Sequence, residues 1–485
     1  MQVDQLRPMV PLLDCPRVAT LPSHVDLLDR ADVFPHISEQ WNSDCFVFPA
    51  AWPRTRILPY PEPKRTATPS FEEISKVQTD AVYCTPENRQ LWENSEPLLV
   101  VVNRYRRAKP AHSQPRTPRT TMVTMHANGL HKETFEPTLA HLIKTLGTDA
   151  QEIEEIWSLD LAHQGVSGLV NASKSNLEVH SWPDQGRDLL NFLLLYLPPA
   201  TRNVIAGEDP SLSHGASALS SGSPAPRMLA RQHLEDSALL RLDGSGAQLS
   251  GQQIRGRKIL GLGHSVGGSG ALIAATTLPS VFSSIVLIDP VVGPPSMFSP
   301  EALPANRKAW VARVSQTLAR RDHWPSKDEA AKALIKNKMF FGRWAPETLD
   351  LYVRFGLTGG DRGTRLTSTK VSEAVRMRDY VYARKLTTVR QGIFCLPDPP
   401  LDTMEIFTRM PLVPADLPYH YIFADRHMGV VPESAMKDIL SQISRHATST
   451  RIKGASHLVV QEKPEALAVE IARLILGDGA ATSRL

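Results

Sequence analysis

The stretch Ile259-Leu-Gly-Leu-Gly-His-Ser-Val-Gly-Gly-Ser-Gly-Ala-Leu-Ile-Ala-Ala275 decides the fold class. Its apolar first half ends in Gly263-His-Ser-Val-Gly267, and a run of small residues follows directly. A G-x-S-x-G sequence between a strand and a helix is typical of a sharp turn that exposes its serine, since only small flanking residues avoid clashes there. The start of the helix also directs backbone N–H groups towards that serine. The stretch therefore predicts a strand–turn–helix unit with Ser265 as a nucleophile. The alternative interpretation is a glycine-rich turn with an idle serine.

Apolar runs on both sides of this unit alternate with segments of helical length, which predicts an α/β fold. Strands buried on both faces read as continuous apolar runs, so we expect a mainly parallel sheet with helices on both faces. The predicted strands are Cys45–Phe48, Leu98–Val102, Thr121–Met125, Ile153–Leu159, Ile259–Leu262, Ser284–Ile288, Tyr419–Phe423 and Ser449–Ile452. The predicted helices are Thr134–Leu146, Leu189–Leu197, Arg307–Arg320, Lys327–Lys338, Glu433–Arg445 and Pro464–Leu476.

The amino-acid composition argues against several classes of function. The chain has 485 residues, of which 42% are hydrophobic and 21% charged, as expected for a globular protein. Its 54 Lys and Arg against 50 Asp and Glu give a net charge of only +4, which argues against a nucleic-acid partner. The four cysteines, Cys15, Cys45, Cys84 and Cys395, show no C-x-x-C spacing. We therefore expect neither a zinc site nor a disulfide scaffold.

Targeting signals are visible only at the C-terminus. The longest apolar stretch, Leu189–Leu197, is shorter than the roughly 18 residues of a membrane span, and the proline-broken N-terminus lacks the apolar region of a signal peptide. Ser483-Arg484-Leu485 is a tripeptide of the peroxisomal-import type. It predicts binding to the peroxisomal import receptor in a eukaryote; the cytoplasm is the alternative location. The other interpretation is that the chain ends in this tripeptide by chance and that the tripeptide is not an import signal.

A serine nucleophile needs a histidine base and an acid that orients the histidine. Gly454-Ala-Ser-His457 follows the last predicted strand and precedes the last predicted helix, where the base of such a fold is expected. Two carboxylates could serve as the acid: Asp289 ends one apolar strand and Asp425 follows another. Both would lie at the carboxyl edge of the sheet, and the pattern alone does not choose between them.

An oxyanion hole requires two backbone N–H donors. One is expected from Val266, the residue after the nucleophile. The other is expected from the loop after the Thr121–Met125 strand, where His126-Ala-Asn-Gly129 forms a turn, and Asn128 is the predicted donor. His126 is expected to brace this loop rather than to transfer protons.

With these residues in place, the chain resembles the α/β-hydrolase superfamily over most of residues 45–475. More narrowly, it is similar to fungal peroxisomal hydrolases of toxin and secondary-metabolite biosynthesis, a group that includes mycophenolic acid acyl-CoA hydrolase, with yeast peroxisomal lipase a more distant relation. The resemblance implies that the acid lies in an Asp-Pro step after the strand that follows the nucleophile, which favours Asp289 over Asp425. The matching stretches are Leu98–Arg104, His126–Leu130, Trp182–Asp188, Gly263–Gly268, Ile285–Pro290, His323–Lys327 and Gly454–His457.

The same resemblance implies a division of the chain. Residues 41–291 and 411–477 would form the hydrolase core, and residues 292–410 a helical cap over the site. Residues 1–40 would be an irregular N-terminal arm, and residues 478–485 a tail that carries the import signal. The Ser-, Ala- and Gly-rich stretch 198–256 is expected to be a low-complexity insertion that departs from the family pattern.

The implied reaction is cleavage of a small-molecule acyl-CoA thioester or carboxylic ester by Ser265, His457 and Asp289 through an acyl-enzyme, and it needs no metal or cofactor. A carboxylesterase or lipase acting on oxygen esters is the alternative, and a non-catalytic binding scaffold is another. A serine at the turn argues against epoxide hydrolases and haloalkane dehalogenases, which place an aspartate there. The sequence determines neither the substrate nor the oligomeric state, and a homodimer is one of the oligomeric states left open. Basic residues of the cap could contact CoA phosphates, with solvated helix faces as the alternative: Arg320, Arg321, Lys327, Lys336 and Lys338.

Overall fold

The structure is a computed structural model of the 485-residue chain. It describes residues 41–57, 88–93, 95–107, 119–174, 181–198, 227–231, 257–360, 363–375, 402–426, 433–443 and 447–477, together with 82–83 and scattered single positions. The predicted arm (1–40) and the insertion (198–256) lie almost entirely outside these residues, and the tail (478–485) lies entirely outside them.

A nine-stranded sheet forms the centre of the fold. Its strands are β1 (Trp41–Pro49), β2 (Leu99–Arg107), β3 (Thr120–Met125), β4 (Ile153–Leu159), β5 (Arg227–Met228), β6 (Lys258–His264), β7 (Ser284–Ile288), β8 (Tyr419–Arg426) and β9 (Thr448–Ser456). Their order across the sheet is β9-β8-β7-β6-β3-β4-β2-β1-β5. Neighbouring strands are parallel except that β2 runs antiparallel to both β1 and β4. The predicted mainly parallel α/β sheet is thus confirmed.

Helices cover both faces of the sheet because side chains alternate along each strand. In β7, Ile285 and Leu287 pack with one helical layer, and Val286 and Ile288 pack with the other. The described α-helices are α1 (Arg89–Glu93), α2 (Glu136–Leu146), α3 (Gly165–Val170), α4 (Trp182–Asn191), α5 (Val266–Thr277), α6 (Leu303–Ala319), α7 (Lys327–Ile335), α8 (Pro346–Phe355), α9 (Lys370–Val375), α10 (Asp402–Arg409), α11 (Glu433–Gln442), α12 (Val459–Glu462) and α13 (Pro464–Leu476). Helices α4 and α5 pack on one face, and α2 and α13 on the other.

The segment between β7 and β8 contains helices α6 to α9 and a small antiparallel sheet. That sheet is formed by His323–Trp324, Gly363–Leu366 and Leu357–Gly360. The name cap is used from here on for the described residues between 292 and 375, which belong to the predicted cap of residues 292–410. Helix α10, which follows, contacts the start of α4: Asp402 accepts hydrogen bonds from the Ser181 hydroxyl (3.0 Å) and the Trp182 amide (2.9 Å).

Most predicted elements form, and the differences have physical causes. The predicted Leu98–Val102 strand continues to Arg107, because the Arg104 guanidinium pairs with Asp44 on β1 (2.9 Å) and lies over the Phe46 ring. The predicted helix from Thr134 begins as a 3-10 turn at Lys132 and becomes α2. The predicted Leu189–Leu197 helix is the end of α4 followed by a π-helical turn at Phe192–Tyr196.

Candidate active site

Ser265 lies in the sharp turn between β6 and α5, as the G-x-S-x-G sequence predicts. Its backbone has φ 57° and ψ −120°, and only Ser265 and Asp289 have positive φ among the described non-glycine residues. Such a conformation costs about 1–3 kcal/mol in a non-glycine residue, so the surrounding packing must enforce it. The flanking glycines are required: a Cβ on Gly263 would approach the Gly267 carbonyl oxygen to 2.4 Å, and one on Gly267 would approach the Met125 carbonyl oxygen to 2.4 Å.

Three predicted residues from three different loops form one hydrogen-bonded chain. His457 Nε2 lies 2.9 Å from Ser265 Oγ, and His457 Nδ1 lies 2.6 Å from Asp289 Oδ2. With these partners, Nδ1–H of His457 donates to the Asp289 carboxylate, and Nε2 of His457 can accept the proton of the Ser265 hydroxyl. The residues meet because β6, β7 and β9 are parallel and their carboxyl ends share one edge of the sheet.

The second acid candidate, Asp425, lies elsewhere. Its Oδ2 accepts a hydrogen bond from the Gly454 amide (2.9 Å), and its side chain is exposed near the end of β8. Asp289 is the carboxylate that contacts His457, in agreement with the preference drawn from the resemblance. Asp425 instead stabilises the loop that leads to the histidine.

The environment of Asp289 keeps it ionised. Burial raises the pKa of its carboxyl, but the hydrogen bond from His457 and the Ala424 amide, which donates to Oδ1 (3.0 Å), together hold the pKa below its ordinary value. The positive φ of 40° turns the side chain towards the histidine, while the Asp289 amide donates to the Ile422 carbonyl (2.8 Å). A buried negative charge with these partners can orient an imidazole and stabilise an imidazolium.

Two buried histidines support the site without facing Ser265. His264 Nε2–H donates to the His457 carbonyl oxygen (2.7 Å), and the Leu161 amide donates to His126 Nε2 (3.1 Å). His126 Nδ1–H then donates to the Ala127 carbonyl (2.8 Å), so His126 braces its loop as the sequence suggested. Burial lowers the pKa of His264 to about 3 and that of His126 to about 4. Both rings are therefore neutral at physiological pH.

Acidification below the ordinary histidine pKa of 6.5 is expected to destabilise the folded chain through these two rings. The unfolded chain binds protons below that pH while the folded state does not. Stability is therefore full above pH 6.5 and falls by about 1.4 kcal/mol per pH unit per histidine as the pH drops towards the folded-state values. Denaturant unfolding of the wild type and His264→Gln at several pH values measures this. A slope equally steep in His264→Gln would contradict the buried neutral state of His264.

The loop after β3 is held from two sides through Asn128. The Gly129 amide donates to Gln164 Oε1 (3.0 Å), which leaves Gln164 Nε2 to donate to Asn128 Oδ1 (2.5 Å). Asn128 Nδ2 in turn donates to the Glu373 carbonyl of the cap (3.1 Å). The Asn128 side chain is thus used to join core and cap, and only its backbone amide is a candidate oxyanion donor. Nothing in the sequence marked Gln164 for this role.

Within the described ranges, no group of three or more His, Cys, Asp or Glu side chains could hold a metal ion. None of the helices in the described part of the chain is long and apolar enough to cross a membrane.

Comparison with known proteins identifies the class. The sequence model of the Alpha/beta hydrolase family matches residues 122–470. The fold agrees with that of the peroxisomal alpha-beta-hydrolase Lpx1 of Saccharomyces cerevisiae, at a TM-score of 0.53 and 17% identity over 90% of this chain and 88% of that one. The fold and the family model agree on the class of protein. The chain belongs to the alpha/beta hydrolase family.

Two kinds of fungal relative are similar over part of the chain. The type I acyl-CoA thioesterase mpaH of Penicillium roqueforti is 26% identical over 237 residues, which is 48% of this chain and 39% of that protein. The abhydrolase domain-containing protein AFT2-1 of Alternaria alternata is 30% identical over 135 residues, which is 28% of this chain and 47% of that protein. The matched regions span less than half the length of these curated relatives.

Proposed function

We propose that the chain is a serine hydrolase that cleaves an acyl thioester, with acyl-CoA as the substrate class. The observation that carries the hydrolase mechanism is the chain of contacts from Ser265 Oγ to His457 (2.9 Å) and from His457 to Asp289 (2.6 Å). The thioester preference is supported by the likeness to a protein named as an acyl-CoA thioesterase. A carboxylesterase or lipase acting on oxygen esters is the second candidate, since the same three residues serve both reactions.

In the first half of the reaction, Ser265 Oγ attacks the acyl carbonyl while His457 Nε2 takes its proton. Asp289 stabilises the imidazolium through Nδ1–H, and the tetrahedral oxyanion accepts hydrogen bonds from the backbone N–H groups of Val266 and Asn128. The imidazolium then protonates the leaving thiolate or alkoxide as the bond to the acyl carbon breaks. Val266 begins α5, so the dipole of that helix also favours the developing negative charge.

In the second half, His457 removes a proton from water, which attacks the acyl-enzyme. The tetrahedral intermediate collapses, the acid product leaves, and the proton returns to Ser265. All groups needed for both halves are side chains and backbone amides of this chain.

The cap supplies candidate contacts for the phosphates of CoA. Three of the five basic residues are engaged within the cap: Arg320 pairs with Glu373, Lys327 Nζ donates to the Arg354 carbonyl (2.8 Å), and Arg321 Nε donates to the His323 carbonyl (2.8 Å). Lys336 and Lys338 are exposed, so they are the better candidates for phosphate contact.

The location of the reaction is proposed to be the peroxisome. Ser483-Arg484-Leu485 supports this, although the tripeptide lies outside the described residues. The yeast protein of similar fold is also named as peroxisomal.

Hydrolysis of a panel of acyl-CoAs beside short- and long-chain p-nitrophenyl esters tests the substrate class. We expect thiol release by the wild type at rates above ester turnover, and loss of both in Ser265→Ala. Ester turnover with inert thioesters would overturn the thioesterase assignment and favour the second candidate. Activity that survives in Ser265→Ala would contradict the serine mechanism itself.

A further inference from the structure

The cap rests directly on the two loops that carry the proposed oxyanion donor and the base. Its hydrophobic cluster contains the cap residues Trp324, Phe341, Trp344 and Tyr352. The same cluster includes Ala127 and Leu130 from the loop after β3 and Leu458, which follows His457 directly. The contact surface of the cap is therefore made in part from the active-site loops, so displacement of the cap would expose apolar side chains of those loops.

One ion pair joins the cap to the histidine loop. Arg343, at the end of the 3-10 turn Phe341–Arg343 in the cap, donates from Nε and Nη2 to the two carboxylate oxygens of Glu462 (3.0 and 2.9 Å). Glu462 lies at the end of α12 in the core, and its side chain is 3% exposed. Two parallel N–H bonds from a planar guanidinium fix the plane and direction of a carboxylate, which a point charge would not do.

The same carboxylate holds the residue before His457. Glu462 accepts the Ser456 amide (2.9 Å) on one oxygen and the Ser456 hydroxyl (2.6 Å) on the other. On the opposite side, His264 donates to the His457 carbonyl (2.7 Å). The backbone is therefore fixed on both sides of His457, once from the nucleophile turn and once from a carboxylate whose own orientation depends on the cap.

We infer that Arg343 is a positioning residue: through Glu462 and Ser456 it keeps His457 in hydrogen-bonding register with Ser265, so that the base is aligned only while the cap is seated. This inference rests on the proposed serine mechanism. It assigns to the cap a role in the chemistry besides the proposed contact with the CoA phosphates. Arg343 contacts no reacting atom in this scheme, and its effect passes through two other residues.

The size of the effect follows from the geometry of proton transfer. Without Arg343, Glu462 would keep its two hydrogen bonds from Ser456 but lose the two from the guanidinium. A largely buried carboxylate that loses two donors is destabilised, so its side chain is expected to move towards water or other donors. A displacement of about 1 Å between nucleophile and base can cost on the order of 100-fold in rate. Substrate affinity would change less, since Arg343 acts on the base.

Three variants test the inference on the full-length chain. Arg343→Met removes the charge and both hydrogen bonds, and Arg343→Lys keeps the charge without the paired geometry. Lys332→Met is the matched control, because it removes an exposed ion pair between Lys332 and Glu329 within the cap. Two rates are measured, namely kcat on the best substrate and the rate constant for modification of Ser265 by a fluorophosphonate. The second needs the base but no natural substrate, so failure of the proposed substrate class and failure of this inference can be told apart. Melting temperatures of all three variants control for folding.

We expect Arg343→Met to lower both rates by about 10- to 100-fold with KM changed by less than about threefold, and Arg343→Lys to fall between it and the wild type. Lys332→Met should match the wild type. Unchanged rates in Arg343→Met, or a loss in KM alone, would overturn the inference. If Arg343→Met does not fold, Arg343→Lys carries the test: rates equal to those of the wild type would overturn it.

Discussion

Ser265→Ala is expected to lower kcat by about 10⁴- to 10⁶-fold with little change in KM. The hydroxyl is the only group removed, and the surrounding amides of the proposed oxyanion hole are kept. His457 and Asp289 would stay paired, since their 2.6 Å contact does not involve the serine. Steady-state kinetics on the best substrate of the panel measure the loss.

A matched variant separates loss of chemistry from loss of fold. Ser265→Gly also removes the hydroxyl, but glycine adopts the φ of 57° without strain and is expected to stabilise the chain by roughly 1 kcal/mol. We therefore expect Ser265→Gly to be inactive and to melt above the wild type. Residual activity in either variant within about 100-fold of the wild type would exclude Ser265 as the nucleophile.

Asp289→Asn is expected to lower kcat by about 10³- to 10⁴-fold, because an amide can donate to His457 Nδ1 and so favour the tautomer that protonates Nε2. The change is nearly isosteric, and asparagine tolerates the positive φ of 40° at this position. The fold should therefore be kept. The loss should appear in kcat, since Asp289 orients the base and does not bind the acyl group.

Asp425→Asn is the control for that experiment. Asparagine can still accept the Gly454 amide that Asp425 accepts at 2.9 Å, so we expect a change of less than about threefold. A larger kcat loss in Asp425→Asn than in Asp289→Asn would reverse the assignment of the acid.

Much of the fold is visible in the sequence because a parallel sheet leaves a strong pattern. Strands buried on both faces, such as β6 and β7, are short apolar runs that end directly before Ser265 and Asp289. The extension of β2 to Arg107 was not predicted, since a strand with charged side chains paired across the sheet loses its apolar pattern. Short 3-10 and π turns at helix ends also shift the helix boundaries away from those that the sequence pattern predicts.

The proposed catalytic residues could be predicted because each follows a recognisable strand, and the parallel topology brings strand ends together. The pattern could not choose between Asp289 and Asp425, because the choice depends on which carboxylate reaches His457 in three dimensions. Gln164, Glu462 and Arg343 left no local signal at all. Their roles come from contacts between segments far apart in the chain, such as the 119 positions between Arg343 and Glu462.

The most direct test of the central claim is covalent trapping of the nucleophile. The full-length wild type is treated with a fluorophosphonate, its intact mass is measured, and the modified peptide is sequenced. We predict addition of one inhibitor at Ser265, no addition in Ser265→Ala, and much slower addition in His457→Ala. Modification at another residue, or equal labelling of the wild type and Ser265→Ala, would contradict the account.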